Sequence, residues 1–221
     1  MKKQALIWTA YAVWKPFEDL FTDIKMINKE IKKTDVVIFE GGTDISSFLY
    51  NEPKLPNSDA FDIDRDRFET SVFNQAVKAG ASMLGICRGS QFLTAMNGGT
   101  VIRHCDNHTK YHWIRTSCKK DIWVSSTHHQ MMNPFRLPKN RYKLLAWASP
   151  RLSTEYLNGW NQNIIDKMPC EPEIVWYPKT KCLCIQGHPE YMKPTTYIGG
   201  EIDQIDPFVY YCRKLIQKYL L

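Results

Sequence analysis

The sequence predicts an α/β fold built on a largely parallel sheet covered on both faces by helices. Three observations predict it: apolar runs short enough to be buried strands, amphipathic stretches at helical spacing between them, and glycine pairs where strands hand over to loops. With 221 residues, 43% of them hydrophobic, the chain can bury a substantial core, and residues 1–221 are read as one domain. A charged fraction of 24% beside 7 Trp, 11 Tyr and 10 Phe excludes the profile of a disordered chain.

Taken in order, Ala5-Leu6-Ile7-Trp8 reads as a buried first strand. The apolar run up to Trp14 is too short, and too broken by Thr9, to be preferred as a secretory signal. After Pro16, the residues Phe17, Leu20, Phe21, Ile24 and Ile31 fall roughly at helical spacing and predict one or two amphipathic helices. Asp35 to Phe39 is a β-branched strand closed by Gly41-Gly42, and Asn51 to Asp64 reads as a loop. Arg65 to Ala79 carries Phe68, Val72, Phe73, Ala76 and Val77 on one helical face, with Gly80 as its stop. Met83 to Ile86 reads as a strand, and Gln91 to Met96 as a helix closed by Gly98-Gly99. The second half is richer in strands: Ile122 to Val124, Lys143 to Ala148, Glu173 to Tyr177 and Cys182 to Gln186, the last two joined by a turn at Pro178 to Lys181. Pro207 starts a final helix whose buried face is Phe208, Tyr211, Leu215 and Tyr219.

Several function classes lose support on composition. The net charge is +6, yet Lys and Arg are scattered, which argues against nucleic-acid binding. No apolar stretch approaches the roughly 20 residues of a membrane helix. Seven cysteines without framework spacing favour a reducing compartment, so a cytoplasmic location is expected. Cys182 and Cys184 share one strand face and are read as core packing, and the Trp residues as core or pocket wall. His104, His108 and His112 recur every four residues, the spacing of a metal-binding helix face, but their segment lacks apolar periodicity and is read as a loop near the site. No metal and no cofactor are expected.

Gly85-Ile86-Cys87-Arg88-Gly89 is a G-x-nucleophile-x-G pattern with cysteine as the nucleophile, placed where a strand should turn into a helix. Such a turn strains the nucleophile's backbone and demands small neighbours. It also sets the sulfur at a helix N-terminus, whose N–H groups favour a thiolate and can hold an oxyanion. Expelling an amine needs a proton donor, and His188-Pro189-Glu190, directly after a predicted strand, supplies a histidine with a carboxylate to orient it.

Together these segments resemble the class I glutamine amidotransferase family, most closely its γ-glutamyl hydrolase branch. Gly41-Gly42-Thr43-Asp44 with Tyr50, then Asp62, Arg65, Asp66 and Glu69, resemble two of its motifs. Leu84 to Gln91 with Gly98-Gly99, Val124 to Gln130, and His188 to Glu190 are similar to three more, in the family's order. The resemblance implies a flavodoxin-like three-layer sandwich with a mostly parallel central sheet and a small additional antiparallel element. It implies Cys87 as nucleophile, His188 as base and then acid, and Glu190 as orienter. It also implies an oxyanion hole from the N–H groups of Gly42 and Arg88, and substrate contacts from Gln91, Ser126, Thr127 and His128. The activity expected is hydrolysis of a γ-glutamyl amide through a thioester on Cys87. The alternatives are a glutaminase subunit feeding ammonia to a separate synthetase, and an inactive binding protein on the same scaffold. Ser47, Ser125, Thr94 and Gly187 depart from the family pattern. Gly187 stands where a Trp is usual, which leads one to expect a leaving-group pocket that is wider or differently shaped.

Overall fold

The computed structural model describes residues 3–8, 13–28, 30–52, 62–158, 162–163, 168–192, 196–198 and 201–221. Most of the predicted loop between Asn51 and Asp64, and Thr9 to Ala12, lie outside the described residues.

Nine strands form the central sheet: β1 (Gln4–Ile7), β2 (Ile24–Met26), β3 (Asp35–Phe39), β4 (Ser82–Ile86), β5 (His112–Thr116), β6 (Asp121–Val124), β7 (Lys143–Ala148), β8 (Pro172–Tyr177) and β9 (Cys182–Ile185). Their order is β2-β1-β3-β4-β9-β8-β7-β5-β6. The first five in that order run parallel. The remaining strands continue as antiparallel neighbours.

Helix α1 (Ile63–Ala79) and helix α2 (Arg88–Met96) cover one face, and α3 (Pro207–Tyr219) the other. The layering follows from the two-residue period of a strand. Ala5, Val36, Ile38, Leu84, Ile86, Leu183 and Ile185 face the core under Phe208, Cys212 and Leu215 of α3. Their alternates Leu6, Val37, Phe39, Met83, Cys182 and Cys184 face the core under Val72 and Phe73 of α1 and Phe92 of α2. This is the expected α/β class with a parallel core, and Cys182 and Cys184 are packed in it. Both helix starts are capped as their sequences dictate: Asp62 accepts from the Arg65 N–H, and Asp206 from those of Phe208 and Val209. Gly80 ends α1 at φ +70°, a left-handed stop.

Two expectations are corrected. The segment after Pro16 folds as a short 3-10 helix, Lys15–Leu20, and then as the parallel edge strand β2. Phe17 and Leu20 do face the core, but pairing of Ile24 with Ala5 overrides the helical spacing further on. The tryptophans are not all internal: Trp113 and Trp123 are 49% and 43% exposed. They sit opposite each other on β5 and β6 and contact edge to face on the outer surface.

Candidate active site

The parallel strands β3, β4 and β9 lie side by side, and their carboxyl ends each deliver one part of the site. β3 is followed by Glu40-Gly41-Gly42, β4 by Cys87, and β9, after Gln186 and Gly187, by His188. Register does the positioning. Phe39 pairs with Gly85 and Ile86 with Ile185, so the chain just beyond each strand end arrives at the same height.

Cys87 takes φ +50° and ψ −109°, a conformation that L side chains rarely adopt, between the last residue of β4 and the first of α2. Both flanking glycines are obligatory. A Cβ on Gly85 would lie 2.5 Å from the Gly89 carbonyl oxygen, and one on Gly89 would lie 2.0 Å from that of Phe39. The turn is tied by the Cys87 carbonyl, which accepts from the Ser90 N–H at 2.9 Å and the Ser90 hydroxyl at 2.6 Å.

Cys87 and His188 meet. The position of a Cβ on Gly41 lies 3.5 Å from the His188 Cε1 and 3.8 Å from the Cys87 Cβ, so both residues stand against the same point of the loop. His188 Nδ1 is 2.7 Å from the Glu190 Oε1, and the Tyr191 ring stacks on the imidazole at 4.5 Å. Burial disfavours charge on His188, but Cys87 and Glu190 outweigh it and raise the imidazole to about 10. Its Nε2 has no partner at full hydrogen-bond geometry, so the Cys87 pairing is a close polar contact rather than a formed bond. Ser125 fixes the loop from behind: its hydroxyl donates to the His188 carbonyl, and its own carbonyl accepts the His188 N–H at 3.2 Å.

A buried ionic network holds the Gly41-Gly42 loop against the nucleophile turn. Arg88 of α2 pairs with Asp66 at 2.5 Å and with Glu69. Arg65 pairs with Glu69 at 2.9 Å and donates to the carbonyls of Gly41 and Glu40 at 3.0 and 2.9 Å. Two guanidinium groups thus balance two carboxylates inside the protein. Gly42, at φ +139°, leaves room for Arg65: a Cβ there would stand 2.4 Å from its Nη1.

A cavity of about 220 Å³ opens beside the sulfur, lined by Gly42, Thr43, Asp44, Cys87, Arg88, Gln91 and Thr127 to Gln130. Six of the nine sequence-predicted site residues line it: Cys87, Gly42, Arg88, Gln91, Thr127 and His128. Gln91 is held by a 3.0 Å bond to the Gln130 carbonyl. Ser126 is not in the lining; its hydroxyl donates to the His108 carbonyl. Sequence reasoning missed Asp44 as a cavity residue. It accepts from the Gln130 amide at 2.8 Å and lies 3.3 Å from the His129 Nε2. Its place in the Gly-Gly-Thr-Asp segment was the available signal.

Gly187 is not part of the lining of this cavity. A side chain there would meet the Ser125 carbonyl at 2.9 Å and the Phe208 ring at 3.1 Å, so it would point toward α3 and away from the cavity.

Behind the cavity wall, His108, His112 and His128 converge on Glu173 of β8, with Glu171 beyond. Burial opposes charge on His108, but Glu171 and Glu173 outweigh it and raise it to about 9. His128, fully enclosed, is driven down to about 4. Burial raises Glu171, but His108 and other donors bring it to about 2. Of the three histidines that recur every four residues, His108 and His112 meet here, whereas His104 is exposed.

The family follows from a sequence match: a Peptidase C26 model covers residues 19–134, just over half of the chain. The chain belongs to the Peptidase C26 family. The match holds Gly42, Cys87 and the Ser125 to Gln130 segment, and ends before His188 and Glu190. Protein NtpR of Enterococcus hirae is 32% identical over 87 residues, 39% of this chain and 36% of that protein. A glutamine amidotransferase-like protein of Lactococcus lactis subsp. cremoris, the YvdE homolog, is 36% identical over 75 residues, 34% of this chain and 40% of that protein. The chain thus spans well under half the length of the curated relatives it matches. Among solved structures, PurLQS from Thermotoga maritima is similar with TM-score 0.57 and 14% identity, covering 98% of this chain and 100% of that one. A glutamine amidotransferase from the same organism has TM-score 0.55 and 16% identity, covering 86% of this chain and 77% of that one. At such identities the likeness is one of fold. No helix among the described residues is long and apolar enough to cross a membrane.

Proposed function

We propose that this Peptidase C26 member hydrolyses a γ-glutamyl amide bond through a thioester on Cys87. The observation that carries the reading is the convergence of His188 and Gly41 on Cys87, which itself lines a cavity, with Glu190 bonded to the far side of the imidazole. Three supports come from chemistry. The cavity, about 220 Å³, is smaller than the roughly 300–1,000 Å³ of drug-sized ligand sites and suits one amino-acid moiety. Asp44 on its wall is suited to an α-ammonium group, and the Thr127 to Gln130 segment to an α-carboxylate. His188, raised to about 10, holds a proton ready for a leaving amine.

The steps then follow. The Cys87 sulfur attacks the γ-carbonyl carbon, and the oxygen takes up negative charge between the backbone N–H groups of Arg88 and Gly42. As the tetrahedral centre collapses, His188 gives its proton to the departing nitrogen and the C–N bond breaks. Water, deprotonated by His188, attacks the thioester, and glutamate leaves with the sulfur regenerated. Glu190 accepts from the His188 Nδ1–H and keeps Nε2 turned to the sulfur. Gln91, Thr127 and His128 serve as cavity-wall contacts for the glutamyl group, and Ser126 acts on it only through backbone. A separate synthetase partner receiving ammonia uses the same chemistry and is the second outcome of the test.

The test is a panel of γ-glutamyl amides, glutamine included, scored for glutamate release with mass spectrometry of the intact protein. The expected result is turnover of at least one amide with a glutamyl adduct on Cys87. Glutamine turnover appearing only with an added synthetase would favour the ammonia-supplying role. An absence of adduct and of turnover throughout would end the hydrolase reading.

A further inference from the structure

The cluster behind the cavity is arranged as a metal site. His108, His128 and Glu173 each offer a ligand atom, and these atoms lie within 4.8 Å of one another in a wholly buried setting. Their side chains are 0%, 1% and 2% exposed. Neither ring nitrogen of His108, nor the Nε2 of His128, nor the Oε2 of Glu173 has a hydrogen-bond partner at full geometry. Buried polar atoms left unmatched are costly, and the two that face Glu173, His108 Nδ1 and His128 Nε2, call for a ligand that satisfies them together.

The proton positions point the same way. His128 Nδ1 lies 2.8 Å from the Gln130 carbonyl, which can only accept, so Nδ1 carries the hydrogen and Nε2 turns a bare lone pair toward Glu173. His108 Nε2 lies 3.4 Å from the Glu171 Oε1, an acceptor for its N–H, which leaves Nδ1 facing Glu173 at 3.4 Å. Glu171 is itself anchored, accepting from Leu152 N, Ser153 N and the Tyr156 hydroxyl at 2.8, 2.8 and 2.7 Å. His112 Nε2 rests 3.1 Å from the Glu173 Oε1 and steadies the carboxylate. Each would-be ligand thus has an outer partner that fixes its orientation, the arrangement usual around protein metals. The two separations to Glu173 fit as well, and all three donors lie within 4.8 Å of one another. Ligands at the usual zinc bond lengths are about 3.4 Å apart along a tetrahedral edge. The donor pairs here measure 3.4 Å for His108 with Glu173 and 3.7 Å for His128 with Glu173.

We propose that His108, His128 and Glu173 bind a divalent cation of the zinc class, with Glu171 and His112 as orienting partners. This departs from the sequence-based expectation of no metal. The two carboxylates balance the cation's charge. Because His128 also forms part of the cavity wall, the ion ties the Thr127 to Gln130 segment to β8 and so sets the shape of the glutamyl pocket without touching the reacting bond. The competing account is a metal-free ion pair, with a protonated His108 between the two glutamates.

The whole chain is stripped with chelator, dialysed against zinc or cobalt(II), and assayed for metal content and by X-ray absorption. The expected result is one ion per chain with only nitrogen and oxygen neighbours. His108→Gln should lower zinc affinity at least about 100-fold, and Glu171→Gln about 10- to 100-fold. A sulfur shell around the metal would place it on cysteines and overturn the site, as would a wild-type chain that retains no metal. Should His108→Gln fail to fold, the wild-type stoichiometry and absorption spectrum still decide. The readout is metal content, so a failure of the hydrolase reading leaves it standing, and the reverse.

Discussion

The molecule holds two clusters made from the same kinds of residue, and they differ in what the histidine faces. At the strand ends, His188 sits between a carboxylate and a thiol, beside an open cavity. Behind the wall, His108 and His128 sit around a carboxylate, all three side chains 2% exposed or less. A histidine with one committed nitrogen and one facing a nucleophile is arranged to move a proton. Histidines whose bare nitrogens converge on one carboxylate are arranged to hold a cation. The comparison separates chemistry from architecture, and variants can push on either side of it.

The largest effect is expected at the sulfur. Cys87→Ala should lower kcat by at least about 10⁴-fold while circular dichroism and the melting midpoint stay near wild type, since the covalent route is lost and little packing changes. Next comes the ionic network that holds the Gly41-Gly42 loop. Arg88→Met leaves Asp66 and Glu69 buried beside a neutral side chain, and urea denaturation should register a loss of about 3–5 kcal/mol. Gly89→Ala forces a Cβ onto the Phe39 carbonyl and should cost about 3 kcal/mol by the same measurement. Gly98→Ala, whose Cβ meets only Leu137 at 3.6 Å but which keeps a positive φ, should cost about 1 kcal/mol.

On activity, the smaller of the two effects lies at the orienting carboxylate. Glu190→Gln should reduce kcat/KM about 100-fold and also move its pH profile. With Glu190 and Cys87 raising His188 to about 10, the alkaline fall in activity marks loss of the His188 proton. Removing one of the two raising partners shifts that fall to lower pH. An unmoved alkaline limb would mean that Glu190 plays no part in holding the proton.

The two clusters also differ in how far the sequence alone reveals them. The nucleophile turn is legible because its requirements are local: two glycines within two residues of Cys87, a strand before it and a helix after it. His188 and Glu190 are legible for the same reason, being two residues apart after a recognisable strand. The arginine–carboxylate network was seen only as a motif; that Arg65 reaches across to the Gly41 carbonyl depends on β3 lying beside β4. The metal-like cluster was legible only in part, and the signal was set aside. His108, His128 and Glu173 come from three segments brought together in the fold, and the four-residue histidine spacing named His108 and His112 but also His104, which stays outside, and could not name His128 or Glu173. The edge strand β2 was hidden for a related reason, since its pairing with β1 outweighs a spacing that also fits a helix. Trp113 and Trp123 show the limit of composition, because large apolar residues on an outer sheet face look like core until the register is known.

The most direct measurement is the order in which iodoacetamide labels the seven cysteines at neutral pH, followed by peptide mapping. Cys118 is exposed and Cys87 is only 8% exposed, so access alone favours Cys118. The account predicts that Cys87 is labelled first, and that His188→Gln reverses the order. Labelling of Cys118 ahead of Cys87 in the wild-type chain would contradict the claim that His188 activates the sulfur.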